Sequence, residues 1–151
     1  MAPFQFRLAR VLDWYRERCR LEENRLGVLS DLVVRAESAI RFHRKEVLAH
    51  QTELLHSKNL RAFELAALGS FCRQAKKREA QLSEHWIKSR SSLENQRKVV
   101  LAAQQRLHLV EKLHDRRLGE HRYQEARELE ELASETYLAA FVRDLNDNNV
   151  A

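Results

Sequence analysis

The chain has 151 residues, of which 32% are charged and 44% hydrophobic, with only three glycines and one proline. A compact domain of several elements needs turns built largely from Gly, Pro, Asn and Asp, so this composition argues against one and favours long helices with a narrow apolar stripe. No stretch approaches the roughly 18 consecutive apolar residues of a membrane span, and the start carries no apolar signal-peptide core. We therefore expect a cytoplasmic protein.

The charge is unevenly distributed along the chain. The formal net charge of +5 divides into +2 for residues 1–56, +6 for residues 57–100 and −3 for residues 101–151. The two cysteines, Cys19 and Cys72, are too few for a disulfide framework and fall on apolar helical positions, so we expect buried, reduced thiols.

The first predicted element is a long helix. From Leu8 onward, apolar residues recur at alternating spacings of four and three, which is the pattern of a coiled-coil seam. Eleven of the fourteen seam positions are apolar, and we predict an unbroken helix over about residues 5–56. The seam consists of Leu8, Leu12, Tyr15, Cys19, Glu22, Leu26, Leu29, Val33, Ala36, Ile40, His43, Val47, His50 and Leu54.

A second helix follows a break at the stretch HSKNLRAF, where Ser57 and Asn59 are the residues best suited to cap a helix. We predict the chain reversal at about residues 57–59 and the second helix over about residues 60–142. Its seam has the same spacing and consists of Leu68, Cys72, Ala75, Glu79, Leu82, Trp86, Ser89, Leu93, Gln96, Val100, Ala103, Leu107 and Val110.

The two seams predict how the helices pair. If the chain reverses near Lys58, residue i of the first helix faces roughly residue 116 − i of the second, so Val110 lies opposite Phe6 and both seams end together. An antiparallel hairpin explains this shared end, whereas a parallel dimer does not. The predicted fold is all-α: a single antiparallel two-helix coiled-coil hairpin over residues 1–143, with the second helix longer than the first. His43 and His50 are predicted to form polar layers that set the register.

The second helix continues beyond the predicted pairing. Residues from about 112 to 142 have no predicted partner, yet they carry an apolar stripe. Such a stripe usually needs a partner because most helical stability comes from packing; fraying in the free protein is the alternative. Residues 144–151 are polar and Asn-rich and predict a disordered tail. The stripe consists of Ala126, Leu129, Ala133, Tyr137, Ala140 and Phe141.

Two short motifs raise the question of a metal site. ELLH at 53–56 and EKLH at 111–114 match the Glu-x-x-His element of carboxylate-bridged di-iron bundles. The hairpin places Glu53 beside the reversal and Glu111 opposite about residue 5, about 70 Å away, so a shared site is not expected. We expect no bound metal or cofactor.

No arrangement of residues suggests catalysis. A glycine-rich phosphate loop, a paired-cysteine zinc pattern and a nucleophile elbow are all absent from the sequence, and a two-helix hairpin offers no concave pocket that would exclude water. We therefore predict no catalytic residues and expect a protein that is not an enzyme.

The basic middle of the chain contains the stretch RQAKKRE, with Arg73, Lys76, Lys77 and Arg78. These residues could neutralise phosphates of nucleic acid or of an anionic lipid surface, or meet an acidic protein surface. A solvated face is the simpler reading of such a run. No interleaved aromatic residues support binding of single strands, so nucleic acid is not the expected partner.

The two ends of the chain together resemble one family, the flagellar export protein FliJ and its relatives in virulence type III secretion. FliJ-like chains typically start F-x-F-x-L-x-x-V-L before a charged helix that carries arginine, and near the end they carry an acidic pair followed, one residue on, by a small residue. The usual aspartate of that pair is glutamate here. The matching residues are Phe4, Phe6, Leu8, Val11, Leu12 and Arg16 at the start, and Glu130, Glu131 and Ala133 near the end.

The resemblance implies a fold and a set of partners. FliJ is similar to the two-helix rotor shaft of rotary ATP synthases, and its helical ends are thought to enter the hexameric export ATPase. Its middle is implicated in contacting the cytoplasmic domain of the export gate, which couples ATP hydrolysis to export, and it escorts export chaperones. By resemblance, the ATPase-binding residues are Phe4, Phe6, Leu8, Val11, Leu12, Leu129, Glu130, Glu131, Tyr137 and Phe141, and the gate-binding residues are Ile40, Val47, Phe63, Ala67 and Phe71.

The resemblance therefore implies a monomeric protein of flagellar assembly, and thus of motility and chemotaxis, held at the cytoplasmic face of the inner membrane by the export apparatus. Two other functions remain open. One is a basic coiled-coil adaptor that binds nucleic acid or anionic membrane through residues 73–78. The other is a structural coiled coil that assembles through the unpaired end of its second helix.

Overall fold

The computed structural model describes residues 3–56 and 61–149. They form two α-helices, α1 (Ala9–His56) and α2 (Ala62–Asn149), and no strand occurs in this part of the chain. The helices pack against each other in antiparallel order, as shown by the hydrogen bonds from Trp86 to Glu37 and from Gln96 to Glu22. The predicted fold class, an all-α hairpin with the second helix longer than the first, is confirmed.

Contacts between residues divide the chain into two units, where we predicted one hairpin domain over residues 1–143. One unit comprises the chain up to Arg16 together with the residues from Gln105 onward, and the other comprises Glu17–Gln104. Each unit contains part of α1 and part of α2.

The buried side chains all lie at predicted seam positions. Each helix buries only this narrow stripe, which is what the alternating spacing of four and three produces. The buried residues are Leu12 in the first unit, and Cys19, Glu22, Val33, Ala36, Ala75, Leu93 and Val100 in the second.

The start of α1 differs from the prediction of about residue 5. The helix begins at Ala9, whose N–H donates to the Phe6 carbonyl at 3.1 Å. Before it, Phe4 and Phe6 are half-buried while the residues between and beside them are exposed. Side chains two positions apart do not share a face of a helix, so two phenylalanines with this spacing can reach one partner only from a non-helical segment.

The start of α2 also differs, and the difference changes the register. The helix begins at Ala62, two residues later than predicted, while the predicted reversal at 57–59 with its two capping residues lies outside the described residues. The predicted pairing puts Arg73 opposite His43, but His43 Nε2 donates to the Ala75 carbonyl at 3.0 Å. The facing position is therefore two residues further along α2 than predicted.

The first turn of α2 is capped by its own side chain. Glu64, the third residue of the helix, accepts a hydrogen bond from the Arg61 N–H at 2.9 Å. This is the return half of a capping box, which satisfies a backbone donor that has no partner within the helix.

The far end of α2 extends further than predicted. We predicted a helix to about 142 and disorder over 144–151, but the helix reaches Asn149 and residues 150 and 151 lie outside the described part. Propagating a helix adds one hydrogen bond for each residue ordered, so Asp and Asn can continue a helix that they would not start. α2 also continues through Gly69 and Gly119.

Candidate functional site

The N-terminal segment packs on α2 through aromatic rings. The Phe6 and His114 ring centroids are 5.0 Å apart, and Phe4 lies 5.7 Å from His114 and 5.5 Å from His121, all edge-to-face. Such pairs contribute beyond their buried area. The prediction that the seam ends at Val110, opposite Phe6, is therefore wrong, because histidine rings continue the seam as far as His121.

A groove of about 610 Å³ lies beside this aromatic cluster, between the N-terminal segment and α2. Two charged residues of its lining are paired: Arg117 Nη1 donates to Glu120 Oε2 at 3.1 Å, and Arg116 donates to the other carboxylate oxygen at the same distance. The lining also includes Arg7 and the two phenylalanines, so the groove combines apolar and basic residues.

The start of α1 places the remaining N-terminal candidates on different sides. Leu12 is in the core, whereas Leu8 and Val11 are each 40% exposed. Arg16 reaches Glu111 at 3.6 Å, although the predicted register put Glu111 opposite residue 5.

The exposed end of α2, which we call the tail helix, is shorter than predicted. The seam continues to His121, so the predicted unpaired segment 112–142 is corrected to residues 122–143, every one of which is exposed. At about 100° per residue, the centre of the predicted apolar stripe lies roughly 130° around α2 from His121. The stripe therefore points away from the side of α2 that forms the seam. Its large exposed members are Leu129, Tyr137 and Phe141.

The acidic pair, Glu130 and Glu131, lies on the tail helix, within the stretch that the sequence predicted to be helical. Glu131 forms an ion pair with Arg127 at 3.4 Å, while the Glu130 backbone carbonyl accepts a hydrogen bond from the Ser134 hydroxyl at 2.9 Å. Both glutamates are exposed.

The five predicted gate-binding residues do not share one surface. Ile40 and Val47 are half-buried at seam positions, where they hold the helices together. Phe71 packs its ring against His50, with centroids 5.7 Å apart, while Phe63 and Ala67 are exposed. Because seam residues face the other helix, only the last three can present a surface to a partner.

The predicted basic patch is also divided. Lys76 lines a groove on one side of the hairpin together with Arg44, whereas Lys77 and Arg78 line a groove on the other side. Arg73 donates to Ser70 at 3.2 Å. Four basic residues within six positions point to several sides of a helix, so they do not form one continuous surface.

A buried carboxylate forms the main polar layer of the seam. Glu22 is only 4% exposed, and Gln96 Nε2 donates to its Oε2 at 2.7 Å and to its backbone carbonyl at 3.1 Å. The hydrogen bond from Gln96 lowers the pKa of Glu22 from its ordinary value of 4.5, and Arg25 and Arg18 lower it further against the opposing effect of burial. Such a layer fixes the register of the helices.

The predicted histidine layers fare differently. His43 is half-buried and bonded across the seam, so it forms a polar layer. His50 is exposed and lies 4.0 Å from Glu53 at the edge of the seam. It does not form an interior layer because its ring turns outward to Phe71.

Two contacts of Trp86 were not predicted. Its Nε1 donates across the seam to Glu37 at 3.1 Å, and the guanidinium of Arg90, one turn further along α2, lies 5.2 Å from its ring. Trp86 was identified only as an apolar seam residue, although an indole N–H beside the seam needs an acceptor. That requirement was the available signal for the contact.

Within the described residues, no group of three or more His, Cys, Asp or Glu side chains is arranged to hold a metal ion. His56 of the first Glu-x-x-His motif bonds the Thr52 carbonyl at 2.7 Å. The same part of the chain contains no helix that is both long and apolar enough to span a membrane.

No protein-family model, curated protein or solved structure matches this chain. The candidate site is therefore defined by its own geometry: a tail helix with an apolar stripe, next to an aromatic cluster that anchors the N-terminus to α2 in the same unit.

Proposed function

We propose that the chain is a non-enzymatic stalk of a flagellar-type protein export apparatus. In this role it binds the hexameric export ATPase through the tail helix and the export gate through the end of the hairpin near α2's start. It couples ATP hydrolysis to export, escorts export chaperones and is held at the inner membrane by the apparatus.

The observation that carries the proposal is the tail helix. Residues 122–143 are helical and exposed, and their apolar stripe points away from the seam. An apolar helix face recognises a hydrophobic groove through residues spaced three and four apart. Leu129, Ala133, Tyr137 and Phe141 follow one another at a spacing of four.

The aromatic cluster refines which residues would meet the ATPase. Phe4 and Phe6 are engaged with His114 and His121, so they anchor the N-terminus. The apolar stripe of the tail helix then supplies the contact with the ATPase. Phe4 and Phe6 hold the N-terminus against α2 just before the tail helix begins.

The gate contact is narrowed in the same way. Since Ile40 and Val47 belong to the seam, the surface offered to a gate consists of Phe63 and Ala67 with the exposed edge of Phe71. Phe63 is 82% exposed, and a large exposed aromatic side chain is a common anchor of protein interfaces.

Co-elution with a purified export ATPase tests the proposal, and the tail helix offers a matched pair of variants. Leu129 and Leu138 are 62% and 59% exposed, and nine residues of separation place them on opposite faces of the helix. We expect Leu129→Ser to weaken binding about tenfold, because a buried leucine contributes at least the roughly 1.4 kcal/mol that a factor of ten requires. Leu138→Ser is expected to bind like the wild type.

Two results would contradict the proposal. One is a wild-type chain that does not co-elute with the ATPase. The other is equal binding by the two leucine variants, which would remove the stripe from the interface.

A further inference from the structure

A groove on one side of the Glu17–Gln104 unit combines basic and apolar residues. It has a volume of about 550 Å³ and lies between the two helices, with Arg44, Leu48 and Gln51 on the α1 side and Cys72 and Lys76 on the α2 side. We call it the basic groove.

The positive charge of this groove is not cancelled locally. Its one carboxylate, Glu79, is bound by Arg44 at 2.6 Å, which leaves Lys76 as an exposed cation. Arg41 adds a second one, because residues 41, 48 and 55 are spaced by seven and follow one line along α1. The same line exposes two leucines, Leu48 and Leu55.

The groove on the other side of the hairpin has a different character. It is lined by Phe71, Lys77 and Arg78, and the heptad spacing puts Glu46 and Glu53 along its α1 edge. Acidic residues beside basic ones make its charge mixed. Of the two grooves, the basic groove is the one that presents two exposed leucines beside cations, and Glu37, one turn before Arg41 on α1, is hydrogen-bonded to Trp86.

The tail helix has the complementary pattern. Glu125 borders its stripe of Ala126, Leu129, Ala133 and neighbouring aromatic residues on one side, and Glu130 lies within the stripe on the same line as Tyr137, judged by their positions around the helix. Neither carboxylate forms an ion pair with any side chain that the structure describes, and both are exposed.

The lengths also correspond. Arg41 to Leu55 spans about 21 Å of α1, and Ala126 to Phe141 spans about 22 Å of α2, at 1.5 Å per residue. A helix of the tail's length would therefore cover the basic groove along its cationic and leucine-bearing part.

We propose that the tail helix of one copy binds in the basic groove of a second copy of this chain. The stripe packs against Leu48 and Leu55 of the second copy. Glu125 and Glu130 of the tail helix lie near its Arg41 and Lys76. The contact is a helix in a groove steered by opposite charges, and it is heterologous, since each copy gives a tail and receives one.

The shape of the groove favours this occupant over a lipid bilayer or a nucleic acid. A duplex would contact the cations but leave the leucines uncovered, and a flat bilayer surface does not follow a groove between two helices, whereas a helix with an apolar stripe and acidic side chains contacts both the cations and the leucines. The inference does not rest on the proposed export function. Because both use the stripe, self-assembly and ATPase binding exclude each other on one tail.

A mixing experiment with full-length variants tests the proposal. The groove variant carries Arg41→Glu and Lys76→Glu, and the tail variant carries Glu125→Lys and Glu130→Lys. All four side chains are exposed, so circular dichroism is expected to show unchanged helicity. Mass is measured by light scattering from micromolar to millimolar concentration.

The wild-type mass is expected to rise with concentration above 17.8 kDa and to fall with added salt. Each variant alone is expected to remain at the monomer mass. An equimolar mixture of the two is expected to associate, because the unchanged tail of the groove variant fits the unchanged groove of the tail variant and the two reversed surfaces are again opposite in charge.

Several outcomes would overturn the proposal. A wild-type mass that stays at 17.8 kDa would do so, as would a groove variant or a tail variant that still dimerises alone, which would indicate a symmetric contact. Wild-type protein that stays monomeric but binds phosphatidylglycerol vesicles or duplex DNA, with binding lost in the groove variant, would assign the groove to that other partner.

A cross-linking measurement provides a second test that does not depend on charge reversal. Cys72 lines the basic groove, so Ala133→Cys in the stripe places a second thiol near it in the assembly. A short bismaleimide linker is expected to join copies of this variant. Leu138→Cys, on the opposite face of the tail helix, is the control, and equal cross-linking of both variants would contradict the proposed docking.

Discussion

Two stretches of α2 have a similar spacing of apolar residues and different surroundings. Residues 86–100 and residues 122–143 both carry apolar side chains at helical spacing, yet the first buries Leu93 and Val100 while the second buries nothing. The helix itself therefore does not determine burial. The paired stretch is covered because α1 lies beside it with a matching seam, and only there do buried polar contacts such as Glu22–Gln96 form.

The sharpest way to break this comparison is to truncate one leucine in each stretch. Leu93 is 8% exposed, so Leu93→Ala is expected to lower the free energy of unfolding by about 2–4 kcal/mol through lost burial and an unfilled cavity. Leu129→Ala is expected to change it by less than about 0.5 kcal/mol. Urea denaturation at low protein concentration measures both.

Equal losses in the two variants would show that the tail helix is packed in solution. An m-value unchanged from the wild type is needed for either result to be read as a change in native-state stability.

The aromatic cluster extends the comparison to the N-terminus. We expect Phe6→Ala to cost about 1–2 kcal/mol, since it removes a half-buried ring and its edge-to-face contact with His114. The ring resonances of His114 in NMR spectra are expected to shift towards those of an exposed histidine.

Gln5→Ala is the matched control for the cluster, because Gln5 lies between the two phenylalanines and is exposed. Its spectrum is expected to match the wild type. Shifts of similar size in both variants would contradict the packing of alternate residues on α2.

The smallest expected effect comes from the polar layer formed by Glu22 and Gln96, and it is a change in how folding stability depends on acid pH. The pKa of Glu22 is lowered in the folded chain, so its ionised form contributes stability above the unfolded pKa. That contribution is lost as pH falls below about 4.5 through the folded pKa. Glu22→Gln carries no titrating group and is expected to show a flatter loss of stability over this range in thermal melts.

Glu84→Gln is the comparison for this variant. The hydrogen bond and charge of Lys88 also lower the pKa of Glu84, but this pair is exposed and screened by solvent. We expect its removal to alter acid sensitivity less than that of Glu22. If the stability of Glu22→Gln depends on pH in the same way as that of the wild type, the ionised Glu22 does not contribute to acid sensitivity.

The sequence was sufficient for the seams because heptad spacing reports burial directly. Every buried residue lies at a predicted position, including the charged Glu22. The register was wrong by two residues, since it depended on the place of the reversal, and spacing within a helix carries no information about loop length. The start of the exposed tail moved further, from about 112 to 122, because the N-terminal segment packs on His114 and His121.

The candidate site was less predictable for a different reason. His114 and His121 follow Val110 at the seam spacing. The predicted seam nevertheless ends at Val110, because histidine is not counted among apolar residues. Their role depends on Phe4 and Phe6, which lie outside α1 where a helical period does not apply. The split of the basic patch between two grooves likewise follows from the position of α1, which the run of charges does not encode.

The antiparallel order of the two helices has a kinetic consequence. The cross-helix hydrogen bonds join residues separated by 21 positions at Gln51–Cys72, 32 at His43–Ala75 and 74 at Glu22–Gln96. Contacts that close short loops form at lower entropic cost, and each one shortens the loop left for the next. We therefore expect folding to begin near the reversal and to proceed outward along the two helices, with the aromatic cluster around Phe6 forming last. Interactions that form after the transition state govern how fast a protein unfolds rather than how fast it folds. We therefore expect the N-terminal aromatic residues to slow unfolding.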